Sequence, residues 1–477
     1  MARRTIDLTG YGLPYWLAIE RPVYPQLQEQ IRADAAIIGG GIAGLKIADY
    51  LARHDLSSVV LEGGQIGAGA SARNQGCIVT GLSVPYGELV QQTSRSVARA
   101  LVDLSHYNRE LLVEQIERHC IACAYEVLGE TLLVRADLAG REGALDALRR
   151  DADLLEEDGF EALYVDEREA CKRTDCSLFA GGIHFPGDAQ FHSGKFVVGL
   201  GAAVARLRQV RVFEDSPVTR IESGGHDHTL RTPRGAVSAP HLFVATNALV
   251  PQLLPALASS LRAERGQAMV TEPLAARPCT GCFAAGTAWW REIREEDGSY
   301  RLLFGGGRRR DDPDTLLRQF DLNGRPNQQL KTAGLRPTIG HQRRLEARFA
   351  EIFPHLSDVR ITHRWGGLQS FTFDGLPVIG LFDPQRRIHG MAGFSGLGNS
   401  FSNVGAAYLA DRAAGICGAV EQRFAAPLEL LLAPGRDTAR WPGDEPTRAR
   451  ADTTLVRPAS AAKSGFEGNE NGAPQVP

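Results

Sequence analysis

"IIGGGIAGL", residues 37–45, decides how this chain is read. Its glycines at 39, 41 and 44 have the GxGxxG spacing. Gly39 permits a tight turn off a strand, Gly41 leaves room where a side chain would collide with a pyrophosphate, and Gly44 lets helix and strand pack closely. "ADAAII" (33–38) in front of it is a short apolar strand, and apolar residues at 42, 45, 48 and 51 behind it have a helical period. "SSVVLE" (57–62) is a second buried strand, which closes a strand–turn–helix–strand unit. Glu62 lies 18 residues after Gly44, where a carboxylate accepts both hydroxyls of a ribose and disfavours a 2′-phosphate. The helix N-terminus offers free N–H groups and partial positive charge to phosphates. The unit predicts a dinucleotide site and argues against NADP. It leaves FAD and NAD open, since both carry an ADP half.

Length and composition set the outer bounds. The chain has 477 residues, 43% of them apolar, enough for two or three domains. A net charge of −3 with mixed signs gives no nucleic-acid or membrane surface. The opening "MARRTIDLTGYGLPYW" has no apolar run behind its arginines, and no stretch approaches the ~20 apolar residues of a membrane span. The expected location is the cytoplasm. Eight cysteines include "CIAC" (120–123) and "CTGC" (279–282), too far apart for a compact zinc ribbon, and they read as ordinary thiols with no metal.

The segment after Glu62 separates the two cofactors. "GGQIGAGASARNQGCIV" (63–79) is a second run of glycines and small polar residues. A simple NAD domain does not need it. A longer cofactor does, with Ser71, Arg73 and Asn74 lining its pyrophosphate and ribityl chain; the plainer reading is a flexible surface loop. Near the C-terminus, "GMAGFSGLGNSFSNVGAAYLA" (390–410) reads as a strand, a turn with Gly396 and Gly398, and a helix starting near Ser400. A helix N-terminus aimed at a flavin ring stabilises the charge of its reduced N1/C2-oxygen edge. Elsewhere the pattern predicts a long helix at 95–120, a helix over 195–209, a buried strand in "APHLFVATNA" (239–248), a strand-rich region at 265–310 and a helix near 342–352. Residues 1–32 read as an irregular arm, and 434–477 as a disordered tail.

With these segments the chain resembles the D-amino-acid-oxidase-type FAD oxidoreductases, within them the γ-glutamylputrescine oxidoreductase-like branch. The resemblance is carried by "DAAIIGGGIAGL", "VVLEGGQIGAGASARNQG", "FHSGKF", "SPVTRIES", "VATNA", "RWGG", "DGLPVIG" and "AGFSGLG", and covers about 15–415. It implies a mixed α/β fold: a Rossmann-like FAD-binding domain with a discontinuous, interleaved β-rich substrate domain. The expected pieces are 33–105, 188–250 and 355–425 for FAD, and 106–187 and 251–354 for substrate. It also implies that Val218 touches the adenine through its backbone. The implied reaction oxidises a C–N bond of a small amine or amino acid: hydride passes to flavin N5, the imine is hydrolysed, and electrons go to dioxygen or another acceptor. The oligomeric state is left open.

The sequence departs from that family in places. Ala72 and Gln75 stand in the flavin loop where glycines are usual. Leu397 stands between Gly396 and Gly398 where a histidine is usual, and Ser193 follows His192 in place of a proline. "YRLLFGGGRRR" (300–310) has arginines where related amine oxidases hold a lysine. No catalytic residue is fixed; the candidates are Cys77, His192 and Trp365. Cys77 could face the isoalloxazine or bond to it, though a small packed residue is the simpler reading. His192 could meet substrate or cofactor, or be a satisfied histidine in a turn. Trp365 could wall the active site or belong to the core. One arginine of 308–310 could hold a carboxylate, although a solvated basic turn is the plainer reading. Two rivals remain: a pyridine-nucleotide disulfide reductase, which needs a second GxGxxG, and a non-catalytic flavoprotein.

Overall fold

The computed structural model describes residues 11–432 apart from 140–143, 310, 311, 313, 322 and 323. The first ten residues of the arm and the whole 434–477 tail lie outside the described residues.

The strand pair predicted around the glycine loop forms the centre of a six-stranded sheet. Its order is Val210–Phe213, Ser58–Leu61, Ala35–Ile38, His241–Val244, Ile388–Ala392 and Val378–Asp383. All neighbours are parallel except the last pair. The central strands are continuously apolar because both faces are covered. Ala35 and Ile37 join one buried cluster and Ala36 and Ile38 the other, as the two-residue period of a strand requires. On the first face lie the Ile42–Arg53, Ser193–Val204 and Gly398–Ala413 helices, with Arg95–Arg118 packed behind the last of them. On the second lies a four-stranded sheet: Gln30–Arg32, Ala236–Ala239, Asp227–Arg231 and Arg220–Gly224.

An eight-stranded sheet makes up the other half. Its order is Ile361–Phe371, Arg262–Thr271, Tyr300–Gly306, Ala288–Arg294, Cys282–Ala285, Glu130–Arg135, Phe179–Phe185 and Leu163–Asp166. Only the Cys282–Ala285/Glu130–Arg135 pair is parallel. Its strands are drawn from stretches that alternate along the chain with those of the six-stranded sheet, which is the interleaving that the family resemblance implies.

Two expectations are corrected. The strand read through "APHLFVATNA" is split at Pro240, which has no N–H to give to a ladder. Ala239 ends a strand of the four-stranded sheet, and His241–Val244 enters the six-stranded one. The arm is not wholly irregular. It has a 3₁₀ turn at Tyr15–Leu17 with Trp16 fully buried, and its Gln30–Arg32 strand pairs with Ala236–Ser238. Among the described residues, no helix is long and apolar enough to cross a membrane.

Candidate active site

A cavity of about 440 Å³ opens over the C-terminal ends of the Ala35–Ile38, Ser58–Leu61 and His241–Val244 strands. Of the residues expected at a dinucleotide, Gly39, Gly41, Glu62, Ser71, Arg73, Asn74, Val218, Gly396 and Gly398 all line it. Gly44 does not, and its role is packing: a Cβ there would lie 1.9 Å from the Gly39 carbonyl oxygen. Gly39 has φ +110°, in the region that favours glycine.

The polar groups of the loop are largely spent on its own shape. The Glu62 carboxylate accepts from the N–H groups of Gly40 (2.9 Å) and Gly64 (2.8 Å), with Lys331 Nζ 3.4 Å away. Ser71 Oγ accepts from the Ile42 N–H at the head of the first helix. Arg73 donates to the carbonyls of Ala68, Gly366 and Leu335, and burial pushes its guanidinium down to about 10. Asn74 accepts from the Gly76 N–H and Ser193 Oγ and donates to the Ala70 and Ser71 carbonyls. Arg73 and Asn74 thus shape the loop, and the surface they present to the cavity is mostly backbone. Two indoles lock the same loop from outside: Trp16 Nε1 donates to the Asn74 carbonyl (2.7 Å) and Trp365 Nε1 to that of Arg73 (3.2 Å).

A second cavity, of about 360 Å³, adjoins the first and shares Asn74, Gly396 and Asn399 with it. At this junction the Gly398–Ala413 helix begins, two residues earlier than the sequence suggested, with no side chain capping its first N–H groups. Asn399 Nδ2 donates to the Cys77 carbonyl, and Ser400 Oγ exchanges hydrogen bonds with Val79. Asn108 holds the helix from behind, accepting from the N–H groups of Asn403 and Val404 and donating to the Asn399 carbonyl. The opposite wall is the eight-stranded sheet, through Glu130, Leu132, Phe185, Ala284 and Trp289.

A family profile for FAD dependent oxidoreductases (DAO) matches residues 34–412. The chain belongs to that family. It is 29% identical over 404 residues to "Probable oxidoreductase OrdL" of Rhizobium meliloti (strain 1021), covering 83% of this chain and 86% of the relative. It is 28% identical over 423 residues to the γ-glutamylputrescine oxidoreductase of Escherichia coli (strain K12), covering 85% and 89%. The crystal structure of glycine oxidase from Geobacillus kaustophilus superposes with a TM-score of 0.65 at 23% identity, over 82% of this chain and 96% of that one, a likeness of fold.

The residues fit the FAD of this oxidoreductase family. Thr246 Oγ1, Asn247 Oδ1, Gln369 Oε1 and Ser370 Oγ are buried with no partner among the described residues, and all four residues line the first cavity. Buried polar atoms need partners, and a dinucleotide's phosphates, ribose and ribityl chain supply them. None of the four stands in a glycine motif. Only the Thr-Asn at the end of a buried strand gave a signal, as the mouth of an α/β sheet is where ligands sit.

The three catalytic candidates fare differently. Cys77 lines the second cavity, and its sulfur is bonded to Cys282 across 205 residues of sequence. The reading of both as ordinary thiols is therefore corrected. The Cys77–Ile78 strand pairs with Ala189–Gln190 in a separate three-stranded sheet, and spacing within either CxxC could not reveal the bond from there to Cys282. His192 lines neither cavity: its Nδ1 accepts from the Lys195 N–H, its ring meets Trp16 at 4.7 Å, and burial with the Lys195 and Arg291 charges pushes it down to about 3. Trp365 is fully buried in the core and also lines neither.

The "GGGRRR" stretch is corrected too. Arg308 is no solvated turn residue. It lines the second cavity, lies 4.2 Å over the Phe371 ring and donates to Glu264 Oε2 (2.9 Å). Glu264 is 1% exposed and also pairs with Arg262 at 3.1 Å. Sequence reasoning missed Glu130, at the head of its strand, in register with Cys282 and Phe185. It is 6% exposed, and burial, with the nearby Asp188 charge, pushes its carboxyl up to about 8. Its place in phase with the inward-facing Leu132 was the available signal.

Proposed function

We propose that this chain oxidises a C–N bond of a small amine or amino acid. Bound FAD would supply a ring that accepts two electrons as a hydride at N5. The chain's own residues do the rest. The uncapped start of the Gly398–Ala413 helix favours negative charge at the junction of the two cavities. Phe185, Trp289 and Phe371 form an apolar wall that orients a substrate and sheds water. The imine product is hydrolysed by water, and the electrons pass to dioxygen or another acceptor. In this reading residues 33–105, 188–250 and 355–425 hold FAD, 106–187 and 251–354 hold substrate, and the protein works in the cytoplasm.

The observation that carries the reading is the meeting of the cavity over the glycine loop with a second, partly aromatic one at Asn74, Gly396 and Asn399. The names of the γ-glutamylputrescine and glycine oxidising proteins support an amine or amino acid as substrate. A reductase reading loses support because Gly305 and Gly306 lie in an antiparallel strand and not in a strand–loop–helix turn. The test is anaerobic mixing of the yellow holoprotein with amines and amino acids. Bleaching by one of them is expected. Bleaching by NADPH alone would turn the reading to a reductase, and bleaching by neither to a flavoprotein without this chemistry.

A further inference from the structure

One charged group on the wall of the second cavity stands apart from the others. Arg308 is ion-paired with Glu264, and Asp151 accepts from the Gly87 N–H at the start of the Tyr86–Gln92 helix. Glu130 is different: it is buried, it lines the cavity, and among the described residues no hydrogen bond or ion pair engages its carboxyl. The nearby Asp188 is already held by Thr80 and Arg109. A buried carboxyl without a partner is costly to ionise, and a cation arriving beside it removes that cost.

We propose that Glu130 is the cation-recognition residue of the substrate cavity, and that the substrate is an amine with a second ammonium group, which Glu130 holds while the other nitrogen reacts. The proposal rests on the amine-oxidation reading and narrows it to a substrate class. The assignment to the distal nitrogen follows from acid–base chemistry. The nitrogen next to the reacting C–H must be neutral, with its lone pair free. A carboxylate beside it would stabilise its protonated form and stop the reaction. Glu130 therefore suits the nitrogen that stays charged.

The spacing agrees. Glu130 is in register with Cys282, Cys282 is bonded to Cys77 at a Cα separation of 6.9 Å, and the Cys77 carbonyl accepts from Asn399 at the cavity junction. Adjacent strands are ~4.8 Å apart, so a chain of a few methylenes spans from Glu130 to the junction. Leu132, Phe185 and Trp289 give those methylenes an apolar wall. A distal carboxylate would meet Glu130 as a like charge and find Arg308 already paired.

The test uses the holoprotein with 1,4-diaminobutane, n-butylamine and 4-aminobutanoate, read by calorimetric binding and by anaerobic flavin bleaching. The expected result is that the diamine binds at least about tenfold more tightly than either of the others. Glu130→Gln should bring the diamine-to-monoamine ratio close to one, and Glu130→Asp should restore part of it. Equal binding of diamine and monoamine, preference for the aminocarboxylate, or an unaltered ratio in Glu130→Gln would overturn the proposal. If Glu130→Gln does not fold, the comparison of the three ligands on the wild-type protein decides alone. Selective diamine binding without bleaching by any amine would uphold Glu130 as the cation site and sink the oxidation reading instead.

Discussion

Around the cofactor cavity the chain offers glycines, main-chain N–H groups and the ends of parallel strands from 38–74 and 394–399, joined by residues of 217–253, 328–331 and 367–370. Around the second cavity it offers the 74–89 stretch and the 371–375 and 395–400 turns, closed by side chains of the eight-stranded sheet at 130–133, 183–185 and 284–289. The first wall recognises what every dinucleotide has in common, so much of it is backbone and glycine motif, with the side chains of Thr246, Asn247, Gln369 and Ser370 added from elsewhere. In the proposed reading the second tells one small molecule from another, with groups that sequence neighbours do not announce. The Cys77–Cys282 bond joins the two, tying the flavin-loop strand to the eight-stranded sheet.

That contrast can be broken most forcefully at the joint. Replacing Cys77 and Cys282 together by serine should cost ~2–4 kcal/mol, read as a lower urea midpoint, and should weaken substrate binding more than flavin retention. Equal losses of both would mean that the two regions do not behave as separate walls. Next in size, Gly44→Ala forces a methyl against the Gly39 carbonyl, with a Cβ contact of 1.9 Å. A loss of ~1–3 kcal/mol and of bound flavin is expected, and a yellow, fully stable variant would show that backbone packing does not set the cofactor wall.

A third test concerns Lys46, which is fully buried, donates to Ser402 Oγ at 2.8 Å and pins the first helix to the Gly398–Ala413 helix. Burial pushes its ammonium down to about 7, against a smaller opposing pull from Asp49. Between pH 7 and the ordinary lysine value the unfolded chain holds a proton that the folded one lacks. Lys46 therefore makes stability rise with pH there, by at most ~1.4 kcal/mol per pH unit, and contributes no slope below pH 7. Lys46→Met should remove this rise in denaturation midpoints measured from pH 7 to 10. The smallest effect belongs to Trp16→Phe, which leaves the Asn74 carbonyl without its indole donor. It should cost ~0.5–1.5 kcal/mol, seen as earlier flavin release on heating.

The same contrast explains what could be read in advance. The glycine loop, Glu62 and the C-terminal strand–turn–helix were legible because each is a local pattern whose spacing mirrors its chemistry. The 95–120 helix was legible from its period and ends at Arg118. The break at Pro240 is encoded in its missing N–H, but the apolar residues that run on behind it hide it. Arg308 looked like a solvated basic turn because only its sequence neighbours were visible, whereas its partner Glu264 lies 44 residues away. The same holds for Trp16, Asn108 and the Cys77–Cys282 pair: each acts on a residue remote in sequence, and no period or motif encodes such a meeting.

The arm has a consequence for how the protein is made. Tyr11 bridges to Arg364, Trp16 bonds to Asn74 and presses so closely on Gly194 that a Cβ there would lie 1.7 Å from its carbonyl oxygen. A ribosome makes the arm before the segments that seat it, and that seat is finished only when residues beyond 360 have emerged. The clasp on the flavin loop thus closes after synthesis of nearly the whole chain. Bulky fusions at the amino end should yield protein that folds but leaks its pigment.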